Sequence, residues 1–165
     1  VREFEKLRNE TITPFLPPQK IDGKKEINAD SINLMQCELK FDFNLSKSMA
    51  DTLGIILENN LQEKLVIGYS VNKKQIFVDR TTAGNSAFSK KFAGIATAPF
   101  TAGSVLKLHL FIDAASTELF VDDGRLVMTN LIFPTENFTR VRAFSVGGEV
   151  IMDRAELYGL ESIWH

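Results

Sequence analysis

The sequence predicts an all-β chain, built as a sandwich or a barrel, and three observations carry that expectation. Positions 35–46 alternate without exception. Met35, Cys37, Leu39, Phe41, Phe43 and Leu45 are apolar, with Gln36, Glu38, Lys40, Asp42, Asn44 and Ser46 polar between them. Strict period two marks a half-buried strand of an antiparallel sheet. Short apolar runs then recur at intervals of about ten residues, separated by turn chemistry, the spacing of a sandwich or barrel. Finally, the chain holds 13 Phe against 2 Tyr and 1 Trp. Phe has no polar handle, so this aromatic stock supplies a core rather than a wet binding platform.

Taken in order, Val1–Arg8 reads as helical or irregular, and Pro14, Pro17 and Pro18 break any regular element after it. The alternating strand at 35–46 follows. Leu53–Leu57, Leu65–Val71 and Gln75–Asp79 read as strands, with Asn72-Lys73-Lys74 a longer or bulged hairpin turn. From Thr81 to Pro99 the chain reads as a long loop with at most one short strand, pinned by Phe88, Phe92 and Phe100. Leu106, Leu108, Leu110 and Ile112 restore period two, with His109 on the opposite face. Thr117–Val121 and Leu126–Thr129 flank Asp122-Asp123-Gly124-Arg125, a hairpin signal because type I′ turns need positive φ. Arg140–Val146 and Val150–Tyr158 flank Gly147-Gly148, a further candidate hairpin.

The chain's 165 residues suit one domain with a self-sufficient core. A net charge of −2 from 19 basic and 21 acidic residues argues against nucleic acid as a partner. No apolar run nears the roughly 20 residues of a membrane-spanning helix. One cysteine and two histidines exclude an intrachain disulfide and argue against a Cys- or His-built metal site. Beginning at Val1, with neither initiator Met nor leader, the chain reads as a processed or excised piece.

Candidate chemistry is sparse. Asp79, Asp113, Glu118, Asp122, Asp123 and Asp153 fall near expected strand ends, and two carboxyls about 5–9 Å apart could hydrolyse a glycosidic bond. Turn forming and edge charge are the simpler roles, and Asp79-Arg80 and Asp153-Arg154 read as ion pairs or edge charges. His109 reads as a surface or hydrogen-bonded residue, and Cys37 as a buried, inert thiol. Sequons occur at Asn9-Glu10-Thr11, Asn44-Leu45-Ser46 and Asn137-Phe138-Thr139. No G-x-S-x-G elbow, Walker loop or H-E-x-x-H motif is present.

The run from Phe111 to Pro134 carries a resemblance. Ile112-Asp113, Ser116-Thr117-Glu118-Leu119-Phe120, Asp122-Asp123-Gly124 and Leu131-Ile132-Phe133-Pro134 resemble the C-terminal β-sandwich of the fructan-degrading glycoside hydrolases, the levanases, inulinases and invertases. Phe77-Val78-Asp79-Arg80-Thr81 is similar to that family's D-R-(S/T) strand end. Leu157-Tyr158 to Ser162-Ile163-Trp164 is similar to its closing segment, and Val1–Arg8 to the stretch leading in from its catalytic propeller. Ala114 stands where relatives often carry Arg.

The resemblance implies a two-sheet antiparallel β-sandwich, a concanavalin/lectin-like jelly roll, over residues 21–165. Residues 1–20 would be the entry segment from an upstream propeller. Asp79, Arg80, Asp113, Glu118, Phe120, Asp123, Gly124, Pro134 and Trp164 are the motif positions, all structural. The family's catalytic boxes (W-M-N-D-P-N-G, R-D-P and E-C) are absent from this sequence. No catalytic, cofactor or metal residue is therefore expected, and no cofactor.

The implied role is a non-catalytic module of a levanase-like fructan hydrolase, most simply a bacterial levanase fragment, that packs on and stabilises the propeller through an apolar patch on one sheet face. Contact with the polysaccharide and a homodimer are further expectations, and the location is extracytoplasmic. Alternatives are a lectin-like carbohydrate-binding module and a self-standing glycosidase using the carboxylates above. On this view Phe41, Phe43, Phe120 and Phe133 fill the core, while Phe4, Phe88, Phe92 and Phe100 face a partner domain.

Overall fold

A computed structural model describes residues 4–11, 17–89 and 91–161. A 3₁₀ turn at Phe4–Leu7 leads into thirteen strands: β1 (Arg8–Thr11), β2 (Gln19–Ile21), β3 (Lys24–Ile27), β4 (Gln36–Asn44), β5 (Thr52–Glu58), β6 (Lys64–Ser70), β7 (Gln75–Thr82), β8 (Ile95–Pro99), β9 (Val105–Asp113), β10 (Ser116–Val121), β11 (Leu126–Leu131), β12 (Arg140–Val146) and β13 (Val150–Leu160). Sheet A has the order β1-β13-β4-β9-β10-β11, with β2 also paired to β13. Sheet B has the order β3-β12-β5-β6-β7-β8. Every pairing is antiparallel. The chain is an all-β, two-sheet antiparallel sandwich, as the resemblance implies.

The period-two pattern explains the two layers. Leu39, Phe41 and Phe43 of β4 point inward beside Leu106, Leu108 and Leu110 of β9, and all six are buried. Sheet B answers with Leu53, Ile55 and Leu57 of β5, Leu65 and Ile67 of β6, and Ile76 and Val78 of β7, in one continuous core. Each such side chain contributes about 1.5–3 kcal/mol on burial. Cys37 lies in this core, and burial pushes its thiol pKa up, which keeps it an inert apolar filler.

Several strands differ from the sequence pattern. Arg8–Thr11, Gln19–Ile21 and Lys24–Ile27 pair at sheet edges, so strand structure begins inside the stretch read as an entry segment. Ile21 and Ile27 are the buried residues of β2 and β3, too few to leave a period. Gly147-Gly148 does not close a hairpin. β12 belongs to sheet B and β13 to sheet A, so these residues cross between layers. Gly147 has φ of 79°, and a Cβ there would run into the Asp51 side chain. The Asp122–Arg125 hairpin forms, but with four loop residues between Val121 and Leu126 and positive φ at Asp122, Asp123 and Gly124. Thr81–Pro99 is shorter as a loop than expected, because β7 runs to Thr82 and β8 opens at Ile95.

The sandwich has two distinct ends. At the entry end, Arg8 faces Leu160, Gln36 faces Asp113, Ser116 faces Leu131, and Lys64 faces Thr82. At the far end, Asn44 faces Val105, Val121 faces Leu126, and Val146 faces Thr52. The backbone NH of Glu161 donates to the Leu7 carbonyl at 2.8 Å, so both termini of the described fold lie at the entry end.

Candidate interaction surface

The outer face of sheet A holds a buried ionic knot. Glu38 is the third residue of β4 and alternates away from the core, yet it is fully buried. Arg8 covers it: Nε and Nη2 donate to the two carboxylate oxygens at 2.6 and 2.8 Å. His109 Nε2 lies 2.7 Å from Oε1, and Lys40 Nζ lies 3.4 Å from the same atom. Burial pushes the Glu38 pKa up, but the hydrogen bonds from Arg8 and His109, with the charges of Arg8 and Lys40, outweigh it and hold the group at about 2. The Arg8 guanidinium also stacks on Tyr158, 3.9 Å from the ring centroid, and lies 3.5 Å from Glu5. His109 is thus hydrogen-bonded on the second face of its strand, as its alternation predicts. Glu38 was indistinguishable from a solvated strand residue, because its partner Arg8 lies 30 positions away.

Tyr158 continues the knot. Its hydroxyl donates to Glu156 at 2.7 Å, and burial, then that acceptor, pushes its pKa up to about 12. Arg154 grips both oxygens of Glu156 at 2.9 and 2.8 Å, so it pairs with Glu156 and not with Asp153. Neighbouring strand residues point to opposite faces, which also separates Asp79 from Arg80. Asp79 Oδ1 instead accepts from Thr81 N and Oγ1 at 2.9 and 2.7 Å.

The entry end is different in character. Phe88, Phe92 and Phe133 form one ring cluster, with centroids 4.8, 5.6 and 5.3 Å apart. The Arg80 guanidinium lies 4.7 Å from the Phe92 centroid and donates from Nη1 to the Leu131 carbonyl at 2.9 Å. Gly84 makes the cluster possible. It has φ of 122°, and its Cα side rests against the Phe133 backbone, where a Cβ would collide. Phe88 remains 61% exposed and Phe133 36% exposed, so neither belongs to the core. Of the eight exposed large hydrophobic side chains among the described residues, Leu61, Phe88, Ile95, Leu131 and Phe133 lie toward this end. This concentration of exposed apolar residues lies at an end of the sandwich and not on a sheet face.

Three further ring placements need correction. Phe133 is surface, as above. Phe120 pairs in register with His109 and lies on the outer face of sheet A, 6.0 Å from Phe111, outside the core. Phe100 is buried in the core, edge-on to Tyr69. Phe4 and Trp164 have side chains outside the described residues.

The motif carboxylates are dispersed rather than convergent. Asp113 lies at the entry end, while Asp123 lies at the far end, 2.8 Å from Lys107 Nζ. Asp122 Oδ1 accepts the Lys107 backbone NH at 2.8 Å, a clasp that fixes the β10–β11 turn beside Gly124. Glu118 is exposed in mid-strand opposite Phe111 and Thr129, and Asp79 is on sheet B. Asp113, Ala114 and Pro134 line an open groove of about 550 Å³ together with Asn33, Gln36, Phe133 and Asn137. Ala114 holds φ of 45° in the two-residue turn between Asp113 and Ser116. Among the described residues, no group of three or more His, Cys, Asp or Glu could hold a metal ion.

The family model described as "Glycosyl hydrolases family 32 C terminal" matches residues 3–159. The extracellular exo-inulinase of Aspergillus awamori is 37% identical over 131 residues, covering 76% of this chain and 24% of that protein. The levanase of Bacillus sp. (strain L7) is 26% identical over 165 residues, covering 99% of this chain and 18% of that protein. The crystal structure of exo-inulinase from Aspergillus awamori superposes with a TM-score of 0.83 at 29% identity, covering 98% of this chain and 31% of that one. The chain thus spans less than a third of the length of these relatives.

Proposed function

The chain belongs to the glycosyl hydrolase family 32 C-terminal domain family, and from that premise we propose that it is the non-catalytic sandwich of a fructan hydrolase. Its role is to pack on and stabilise the catalytic propeller of the same polypeptide. The parent enzyme acts on β-fructosides and works outside the cytoplasm, in keeping with the extracellular exo-inulinases among the relatives. The observation that carries this reading is coverage: the family match fills nearly the whole chain, while the chain fills only 18–37% of its relatives.

Motif residues Asp79, Asp123 and Gly124 then act by shaping turns, and Arg80 by bracing the ring cluster against Leu131. Residues 1–20 lead in from the propeller, with Arg8 as the first fixed point. The test is fructose release from levan and inulin. The isolated chain releases none, and the polypeptide extended by its upstream coding region releases fructose. Turnover by the isolated chain overturns the reading.

The groove supports a second reading, contact with the polysaccharide. Asp113, Gln36 and Asn137 offer polar side chains beside Phe133, the combination of hydroxyl partners and ring face that suits a sugar. Titration with levan oligosaccharides should then perturb the amides of Asn33–Gln36 and Asp113–Ala115. No change on titration removes this reading and leaves the first intact.

A further inference from the structure

We infer that the open edge of β11 is a self-pairing surface. A second copy of this chain adds its own β11 there, antiparallel, about a two-fold axis at Thr129, so that sheet A runs on through both copies.

The backbone makes the edge available. β11 ends sheet A, and β10 is its only strand neighbour among the described residues. Ile132 N donates to the Ala115 carbonyl at 2.8 Å. Hydrogen-bonded pairs alternate with non-bonded ones along an antiparallel ladder. From Ala115–Ile132 onward, the bonded pairs are therefore Thr117–Asn130, Leu119–Met128 and Val121–Leu126. Val127, Thr129 and Leu131 turn their NH and carbonyl groups the other way, toward the open edge. Arg80 Nη1 reaches the Leu131 carbonyl at 2.9 Å from outside the ladder, as that direction requires. The same oxygen keeps a second lone pair for a strand partner.

The composition leaves this edge unguarded. Sheet edges are ordinarily protected by charge or proline. The other outer strands follow that rule: β1 carries Arg8 and Glu10, β2 Lys20, β3 Lys24, Lys25 and Glu26, and β8 Pro99. β11 reads Leu-Val-Met-Thr-Asn-Leu and has neither. Val127 and Leu131 on its outer face are 50% and 51% exposed.

The strand is complementary to itself, which selects a second copy as the occupant. With Thr129 opposite Thr129 of the second copy, Val127 falls opposite Leu131 and Leu131 opposite Val127. Hydroxyl meets hydroxyl and aliphatic meets aliphatic on the outer face, and no charge is opposed or buried. Each of these pairs exchanges two backbone hydrogen bonds across the axis. The Asp122–Arg125 turn at one end and Pro134 beyond the other confine the pairing to this strand. A contact of this symmetry closes at two copies.

Sedimentation equilibrium of the chain between about 5 and about 500 µM measures the dimer. Thr129 is exposed and lies beside Glu118 of β10, so a charge there leaves the sandwich intact. Thr129→Lys and Thr129→Glu each set like charges opposite one another on the axis, and each should raise the dissociation constant about tenfold. Mixed one to one, the two variants should return to within about threefold of the wild-type constant, because Lys then faces Glu. Hydrogen exchange gives a readout that needs no substitution. The amides of Val127, Thr129 and Leu131 should exchange at least about tenfold more slowly at the high concentration than at the low one. Those of Met128 and Asn130, already bonded to β10, should not change. A chain that stays monomeric throughout overturns the inference. A dimer that neither charge weakens, or one that the mixture fails to restore, overturns it as well. Each of these outcomes leaves the proposed function standing, since fructose release tests that separately.

Discussion

Arg8 closes both oxygens of Glu38 in a planar fork, at 2.6 and 2.8 Å, and so ties the entering chain to the second strand in from the edge of sheet A. Glu38 has no exposed surface, and the Arg8 side chain is 20% exposed. Replacing one partner leaves a buried charge short of its main neighbour.

Arg8→Ala should therefore destabilise the chain by about 2–3 kcal/mol. This is just under the range for a fully buried pair, because Lys40 and His109 remain beside the carboxylate. Lys40→Ala should cost less than about 1 kcal/mol, since its ammonium is the more distant partner. Urea denaturation of the two variants, run as a cycle with Glu38→Gln, measures the coupling.

Acid should undo the same knot. The Glu38 pKa lies at about 2, below its ordinary value of 4.5, so folding favours the ionised form. The stabilisation is complete above pH 4.5 and is lost as pH falls toward 2. The stability difference between the wild type and Glu38→Gln should narrow across that window. Thermal melts of both proteins at each pH check the sign.

The core was legible in the sequence and the surface chemistry was not, for a physical reason. Burial between two sheets writes a period of two into β4 and β9, and those strands stand where the alternation places them. Edge strands bury one residue or two, so Gln19–Ile21 and Lys24–Ile27 leave no period to read. The Arg8–Glu38 pair and the ring cluster join residues far apart in the chain, and no local pattern encodes such a meeting. Phe133 misled because a large apolar residue after a strand reads as core, whereas only the fold shows that the strand end overhangs it. The motif positions Asp122, Asp123 and Gly124 were readable as a turn because left-handed φ selects those residue types.

Backbone strain gives a paired prediction of opposite sign. Ala114 holds φ of 45°, a region that favours glycine, so Ala114→Gly should be neutral or stabilise by up to about 1 kcal/mol. Gly84→Ala should cost about 2 kcal/mol or more, because its φ is 122° and the new methyl meets the Phe133 carbonyl. Differential scanning calorimetry should show melting shifts in opposite directions. Loss of near-ultraviolet signal from the ring cluster should accompany Gly84→Ala.

The central claim is that this sandwich serves a catalytic domain it does not itself contain. Fructose release from levan and inulin, measured for the isolated chain and for the polypeptide extended by its upstream coding region, tests it most directly. The account predicts no release by the first and steady release by the second. Hydrolysis by the isolated chain at the rate of the extended protein would contradict it.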